Sequence, residues 1–198
     1  MTRELTVNLI VASTIDNGIG LNGDLPWRLK NDLKYFRYVT TNYNRFQKEP
    51  NVCIMGRATF DSIPAKCKPL KDRLSIVLSS KQMQSTDQTI YCSSTEQVLQ
   101  LIEERNLNNG NLFCIGGSLV YKQFLPFTKT LFLTRIFNKV PCDTFIDIDL
   151  TSFRQSSPEE CKKIIGHEFN FDIQREGDIE YQFQIWVYVG LGLDEIKK

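Results

Sequence analysis

An aspartate on the apolar side of a helix is the first feature here that could do chemistry. Stepping about 100° per residue from Trp27, Leu29, Asp32, Leu33, Phe36 and Thr40 share one face, while Lys30, Asn31, Lys34, Arg37 and Tyr38 take the other. Helical aspartates are ordinarily solvated or sit near a cap. A carboxylate among Leu29, Leu33 and Phe36 instead loses water and finds no basic residue on its own face. A ligand edge with one ring N–H beside one exocyclic amine matches both carboxylate oxygens in a bidentate fork. Pterins and related nitrogen heterocycles carry such an edge.

Two apolar runs pass through glycine into helical patterns, at Met55-Gly56-Arg57-Ala58-Thr59 and Ile115-Gly116-Gly117-Ser118. Helix N-termini present unpaired N–H groups and partial positive charge, which suits phosphate. Neither stretch is a Walker or G-x-G-x-x-G motif, and a tight glycine turn accounts for either alone. As a pair they can hold a pyrophosphate. Arg57, with Ser79-Ser80-Lys81 behind the run Leu74 to Leu78, adds charge and hydroxyls at strand carboxyl ends, where open α/β sheets bind ligands. A phosphorylated dinucleotide meets those requirements.

The elements that must position these groups follow from periodicity. Strands are predicted at Leu5 to Ala12, Val52 to Met55, Leu74 to Leu78, Ile90 to Cys92 and Leu112 to Ile115. Between them come a glycine-rich loop at Asn17 to Pro26, a helix from Trp27 to about Val39, and a polar connection at Thr41 to Pro50. A short helix ends before Pro64, another runs from a Thr95 cap to about Glu104, and a third spans Leu119 to Phe124. From Thr130 onward the pattern is strand after strand: Thr130 to Phe137, Thr144 to Ile146, and a hairpin about Gly177 with Tyr181 to Tyr188 alternating. This order predicts a single α/β domain with a mostly parallel central sheet, flanking helices and an antiparallel C-terminal edge.

Composition narrows the partners. With 198 residues the chain suits one domain, expected at 1–189 with a tail at 190–198. Lys plus Arg number 24 against 23 Asp plus Glu, so a net charge of +1 gives no long-range pull on nucleic acid or acidic membrane. Nucleic acid and membrane are therefore not expected partners. Cys53, Cys67, Cys92, Cys114, Cys142 and Cys161 are scattered without a C-x-x-C, and His167 is the only histidine, so no metal site is expected. His167 lies in a polar stretch and is given no catalytic duty. The start Met1-Thr2-Arg3-Glu4 leads straight into a strand-like run too short for a secretory signal, so a cytoplasmic monomer with free thiols is expected.

The blocks taken together resemble the dihydrofolate reductase family over roughly residues 5 to 188. They are Gly18-Ile19-Gly20, Asn22-Gly23, Leu25-Pro26-Trp27, Asp32-Leu33, Met55 to Pro64, Pro69-Leu70, Arg73, Leu78-Ser79-Ser80, Ile115 to Tyr121, Thr134-Arg135-Ile136 and Cys142 to Phe145. The resemblance implies about eight central strands and the NADPH-dependent reduction of dihydrofolate to tetrahydrofolate, in support of one-carbon metabolism. Dihydrofolate is then the small-molecule substrate, with antifolate inhibitors as competitors.

The resemblance also implies site roles. Asp32, Trp27 and Thr134 would form the catalytic network, Asp32 on the pterin N3 and 2-amino group. Ile10 and Ile115 would turn carbonyls to the pterin edge, and Val11, Leu25 and Tyr121 would lie beside them. Leu33, Phe36, Ile63, Pro64 and Leu70 would line the pterin and benzoyl pocket, with Arg73 on the glutamate α-carboxylate.

For NADPH, Ala12, Ile19, Gly20, Leu21 and Asp24 would shape the nicotinamide site. Gly56, Arg57, Ala58 and Thr59 would take phosphates from one side, and Gly116, Gly117, Ser118, Leu119 and Val120 from the other. Leu78, Ser79 and Ser80 would lie at the 2′-phosphate end, and the family carries a cis peptide at the position of Gly116-Gly117. Ser80 stands where some relatives have arginine, which shifts weight to Arg57 and Lys81. Two alternatives stay open: a reductase of another heterocycle on the same scaffold, and a non-catalytic folate- or RNA-binding module.

Overall fold

In the computed structural model, residues 5–43 and 50–190 are described. Chain order begins with β1 (Val7–Thr14), β2 (Gly18–Gly20), α1 (Lys30–Asn42), β3 (Asn51–Gly56), α2 (Arg57–Ser62), β4 (Arg73–Leu78) and β5 (Thr89–Cys92). It continues with α3 (Thr95–Glu104), β6 (Leu112–Cys114), α4 (Ser118–Phe124), β7 (Thr128–Ile136) and β8 (Thr144–Phe145). The last elements are β9 (Phe153–Gln155), α5 (Pro158–Ile165), β10 (Gln174–Glu176) and β11 (Ile179–Tyr188). The expected α/β class holds, with the strands ordered β10-β11-β7-β1-β6-β3-β4-β5. The pairings from β7 through β5 are parallel, and β11 runs antiparallel to β7, β9 and β10.

Side chains on a strand alternate between faces, and that alternation decides what reaches the site. Along β1, Val7, Leu9 and Val11 enter one apolar layer with Leu131 and Leu133 of β7, and α3 and α4 cover it through Val98, Ile102, Val120 and Phe124. Ile10 enters the opposite layer with Phe132 and Ile136, under Tyr35 and Val39 of α1 and Cys161 and Ile165 of α5. Thr134, two residues beyond Phe132 and opposite Ala12, belongs to this second face. The parity of β7 therefore delivers its hydroxyl beneath α1.

Helix α1 corrects the sequence expectation in two ways. It begins at Lys30, because Leu29 stays extended (φ −114, ψ 107) and Trp27 and Leu29 are buried in the strand-like entry. Its start is capped from far along the chain: the Lys30 and Asn31 amides donate to the two carboxylate oxygens of Glu176, at 2.7 and 3.1 Å. The face is also different. Tyr35, Val39 and Thr40 are its buried residues, while Leu33 is 57% exposed. The reason is aromatic: Tyr35 stacks on Phe183 at 4.1 Å and meets Phe169 and Phe171 edge-on, contacts worth about 0.5–1.5 kcal/mol a pair beyond burial. Asp32 and Phe36 flank this stripe and are only partly buried.

Further corrections lie in the C-terminal third. Thr144–Phe145 pairs with β2 in a separate two-stranded sheet, so it closes the glycine-rich loop and adds nothing to the main sheet. Helix α5, unforeseen, starts in a capping box in which the Ser157 hydroxyl accepts from Glu160 and the Glu160 carboxylate accepts from Ser157. The cap of α3 is Ser94, with Thr95 its first helical residue. The expected tail at 190–198 and the connection at 41–50 lie largely outside the described residues, at 191–198 and 44–49.

Candidate active site

A groove of about 710 Å³ opens across the carboxyl ends of β1, β3, β4 and β6, a size ordinary for a cofactor site. Glycines let its walls approach. A Cβ at Gly56 would sit 3.2 Å from Val120 Cγ2, and one at Gly117 would sit 3.4 Å from Thr59 Oγ1. Gly116 has φ +107, and a Cβ there would meet the Tyr121 ring at 3.0 Å. The Gly116-Gly117 peptide is cis, as the resemblance implied, and Lys68-Pro69 is a second cis bond that was not expected. Main chain without side chains thus forms the groove floor, which fits a group as wide as a pyrophosphate.

Of the residues expected around NADPH, Ala12, Ile19, Gly20 and Asp24 line one end of the groove. Gly56 to Thr59 and Gly116 to Val120 line the middle, and Leu78, Ser79 and Ser80 the far end. Leu21 does not line it; its backbone pairs with Asp24 at the loop tip, at 2.9 and 3.1 Å. Val11, Leu25, Ile115 and Tyr121, expected on the substrate side, also border the groove. The Ser79 hydroxyl is already engaged, accepting from the Lys81 amide and donating to its carbonyl at 3.1 Å. Arg57 lies 2.8 Å from Asp61 in an exposed ion pair, of small energetic worth and easily exchanged.

The sequence reading missed the third rim, Ser93 to Glu96 at the end of β5, although it repeats the pattern of hydroxyls after a strand that marked Ser79-Ser80. It also missed the props of the loop. Arg135 Nη1 donates to the Thr14 carbonyl at 2.8 Å and to Asn17 Oδ1 at 3.2 Å, and Asp143 accepts from the Asn22 amide at 2.7 Å. Such long-range contacts leave no local signal.

Asp32 does not line this groove but is tied to it through Thr134, whose register partner Ala12 does. The Thr134 hydroxyl donates to its Oδ1 at 2.7 Å, and among the described residues no cation pairs with it. Desolvation pushes its carboxyl up to about 6, the Thr134 hydrogen bond opposing and the nearby Glu176 charge assisting. Around it, Ile10, Trp27, Leu70 and Ile115 belong to one apolar cluster that Phe36 and Ile63 pack against, while Pro64 is exposed. The Trp27 Nε1–H is buried without a protein acceptor. The Ile10 carbonyl, expected to face a pterin, accepts the Tyr121 hydroxyl at 2.7 Å.

Arg73 is 8% exposed, its Nη1 donating to Thr40 Oγ1 at 2.8 Å and its Nε to the Lys71 carbonyl at 3.0 Å. Its guanidinium lies 5.8 Å from the Phe36 ring centroid. Of the residues expected around the substrate, Asp32, Leu33, Phe36, Ile63, Pro64, Leu70 and Arg73 do not line the groove; Phe36 links Arg73 to the apolar cluster that holds Leu70.

The strained acid has a consequence for stability. A carboxyl raised in the folded state stabilises the fold fully below its ordinary value near 3.8 and loses that contribution as pH rises through about 6. Asp32→Asn is therefore expected to stabilise the fold at pH 8 by about 1–3 kcal/mol after allowing for partial exposure, raising the melting temperature there, and to have little effect near pH 4. Thermal unfolding across that range checks the sign.

A dinucleotide-sized groove, joined through Ala12 and Thr134 to a half-buried acid that lacks a counter-ion, fits a nucleotide-dependent reductase of a nitrogen heterocycle. Comparison with known proteins narrows this. The family model described as dihydrofolate reductase matches residues 6–176. A dihydrofolate reductase of Drosophila melanogaster is 36% identical over 185 residues, 91% of this chain and 97% of that protein. One of Sus scrofa is 38% identical over 188 residues, 91% of this chain and 96% of that protein. The solved structure of Schistosoma mansoni dihydrofolate reductase superposes with a TM-score of 0.76 at 28% identity, covering 93% of this chain and 99% of that one. The chain belongs to the dihydrofolate reductase family.

Proposed function

We propose that this chain reduces 7,8-dihydrofolate to 5,6,7,8-tetrahydrofolate with NADPH, as a cytoplasmic monomer whose catalytic unit is residues 1–189. The observation that carries the reading is the Asp32 carboxylate, short of donors and held by Thr134, whose register partner Ala12 lines the glycine-floored groove. NADPH, when bound there, supplies the hydride for the pterin ring.

The chain's own residues do the remaining work. Thr134 occupies one lone pair of Asp32 Oδ1, so the carboxylate turns its other lone pairs to the N3–H and 2-amino group of the pterin. Trp27 Nε1–H holds a water near the reacting end that relays a proton from solvent to N5 and is left as water, while Asp32 polarises the ring without touching N5. Phe36, Ile63 and Leu70 exclude other water, the exposed Leu33 closes over the bound ring, and Arg73 takes the glutamate tail. Antifolates that present the same pair of donors compete for Asp32.

Purified protein is expected to consume reduced nicotinamide only when dihydrofolate is present, and to prefer NADPH to NADH. Consumption with a pyrimidine intermediate of flavin synthesis but not with dihydrofolate would transfer the assignment to another heterocycle. Among the described residues no helix is long and apolar enough to cross a membrane.

A further inference from the structure

We propose that Glu176, on the C-terminal hairpin, is a positioning residue for Asp32, holding the start of α1 in place and pressing a second negative charge on the Asp32 carboxylate. The inference rests on the reading of Asp32 as the group that binds the pterin.

The geometry is a helix cap made across the fold. The first amides of a helix have no partner within it, and a side chain close in sequence normally satisfies them. Here Leu29 makes no side-chain cap, and no acidic residue precedes Asp32 in the first turn. Glu176 fills the gap with both oxygens, to the Lys30 amide at 2.7 Å and to the Asn31 amide at 3.1 Å. These residues lie 146 and 145 positions away in the chain. Asp32 follows directly, so the carboxylate that fixes the helix start also fixes the register from which Asp32 projects toward Thr134.

A neutral amide side chain can accept one of these two hydrogen bonds, so a carboxylate adds both a second acceptor and a charge. The negative charge has two effects on its neighbour: it repels the Asp32 carboxylate, and it neutralises the positive end of the helix that would otherwise favour that carboxylate. Both act in one direction, raising the Asp32 carboxyl together with burial. The other ionisable groups in charge contact with Asp32 are Tyr35 of its own helix, Tyr121 of α4 and Tyr181 of β11. All three are phenols whose ionisation is pushed upward, so they stay neutral near pH 6. Among the described residues, Glu176 is then the charge that tunes Asp32 from outside its own helix.

The test pairs Glu176→Gln, which keeps an acceptor but removes the charge, with Glu176→Ala, which removes both. The Asp32 side-chain carboxyl is titrated by carbon NMR in the ligand-free protein, with Asp32→Asn used to assign the signal. In Glu176→Gln the midpoint is expected to fall from its position near 6, and the corresponding ionisation in the pH profile of kcat/KM to fall with it. In Glu176→Ala, kcat/KM is expected to drop on the order of tenfold, within the roughly 10²-fold that a misplacement of about 1 Å can cost. Glu176→Gln should recover only part of that loss, because its single carbonyl oxygen can accept from one of the two amides. An Asp32 midpoint that stays put or rises in Glu176→Gln, while Asp32→Asn is inactive, would overturn this inference alone. Full turnover in Asp32→Asn would overturn the pterin-binding reading and this inference with it.

Discussion

Asp32→Asn is expected to lower kcat/KM for dihydrofolate by roughly 10²- to 10⁴-fold at neutral pH, the range for loss of a group that handles a proton. The substitution is nearly isosteric, so the loss comes from hydrogen-bond polarity. The Thr134 hydroxyl donates to Oδ1 at 2.7 Å, and an asparagine keeps that contact only by presenting its carbonyl oxygen there. Its amide nitrogen, two donors and no acceptor, must then face the N3–H and 2-amino donors of the pterin. Donor meets donor in a low-dielectric pocket, which costs more than the absence of a bond. The wild-type profile of kcat/KM should carry an ionisation near 6, with binding weakening as pH falls through it because the protonated acid gives up an acceptor. The asparagine profile should lack that ionisation. A loss under about threefold would remove Asp32 from the site.

Why Asp32 was legible and its setting was not has a physical explanation. An acid among Leu29, Leu33 and Phe36 at helical spacing is a local conflict, and local conflicts are visible in a sequence. The burial of Tyr35 and the exposure of Leu33 are decided by Phe169, Phe171 and Phe183, more than 130 positions away, and nothing in α1 itself announces them. The helix start shifted for the same reason, since its cap comes from Glu176. Strands β3 to β6 were legible because apolar runs ending in glycine or serine carry their own boundaries. Helix α5 is a different case: Ser157, Pro158 and Glu160 formed a local start signal that the surrounding strand-rich pattern overshadowed. The groove floor was partly legible, because paired glycines at two strand ends are a local feature. The third rim and the Arg135 prop depend on chain crossings.

Arg73→Ala is expected to raise the Michaelis constant for glutamylated dihydrofolate by about 10- to 100-fold, the equivalent of about 1.5–3 kcal/mol for a charged hydrogen bond, with kcat nearly unchanged. Arg73 is a buried cation, lowered in basicity by desolvation, and no carboxylate pairs with it among the described residues. Burying a charge in this way is costly unless an anion arrives. The two contacts to Thr40 and Lys71 hold the guanidinium plane without occupying all of its five donors, which leaves a fork of N–H groups ready for a carboxylate. Removing the side chain does not orphan Thr40, because its hydroxyl also donates to the Phe36 carbonyl at 2.7 Å. The effect should therefore belong to the substrate's tail. A bare dihydropterin, which has no glutamate, is expected to be used equally by wild type and variant. Arg73→Lys should fall between, since an ammonium keeps the charge and loses the planar fork. If both substrates suffered alike in Arg73→Ala, the arginine would be packing the Phe36 ring and shaping the pocket, and the recognition of the glutamate would have to be sought on another residue.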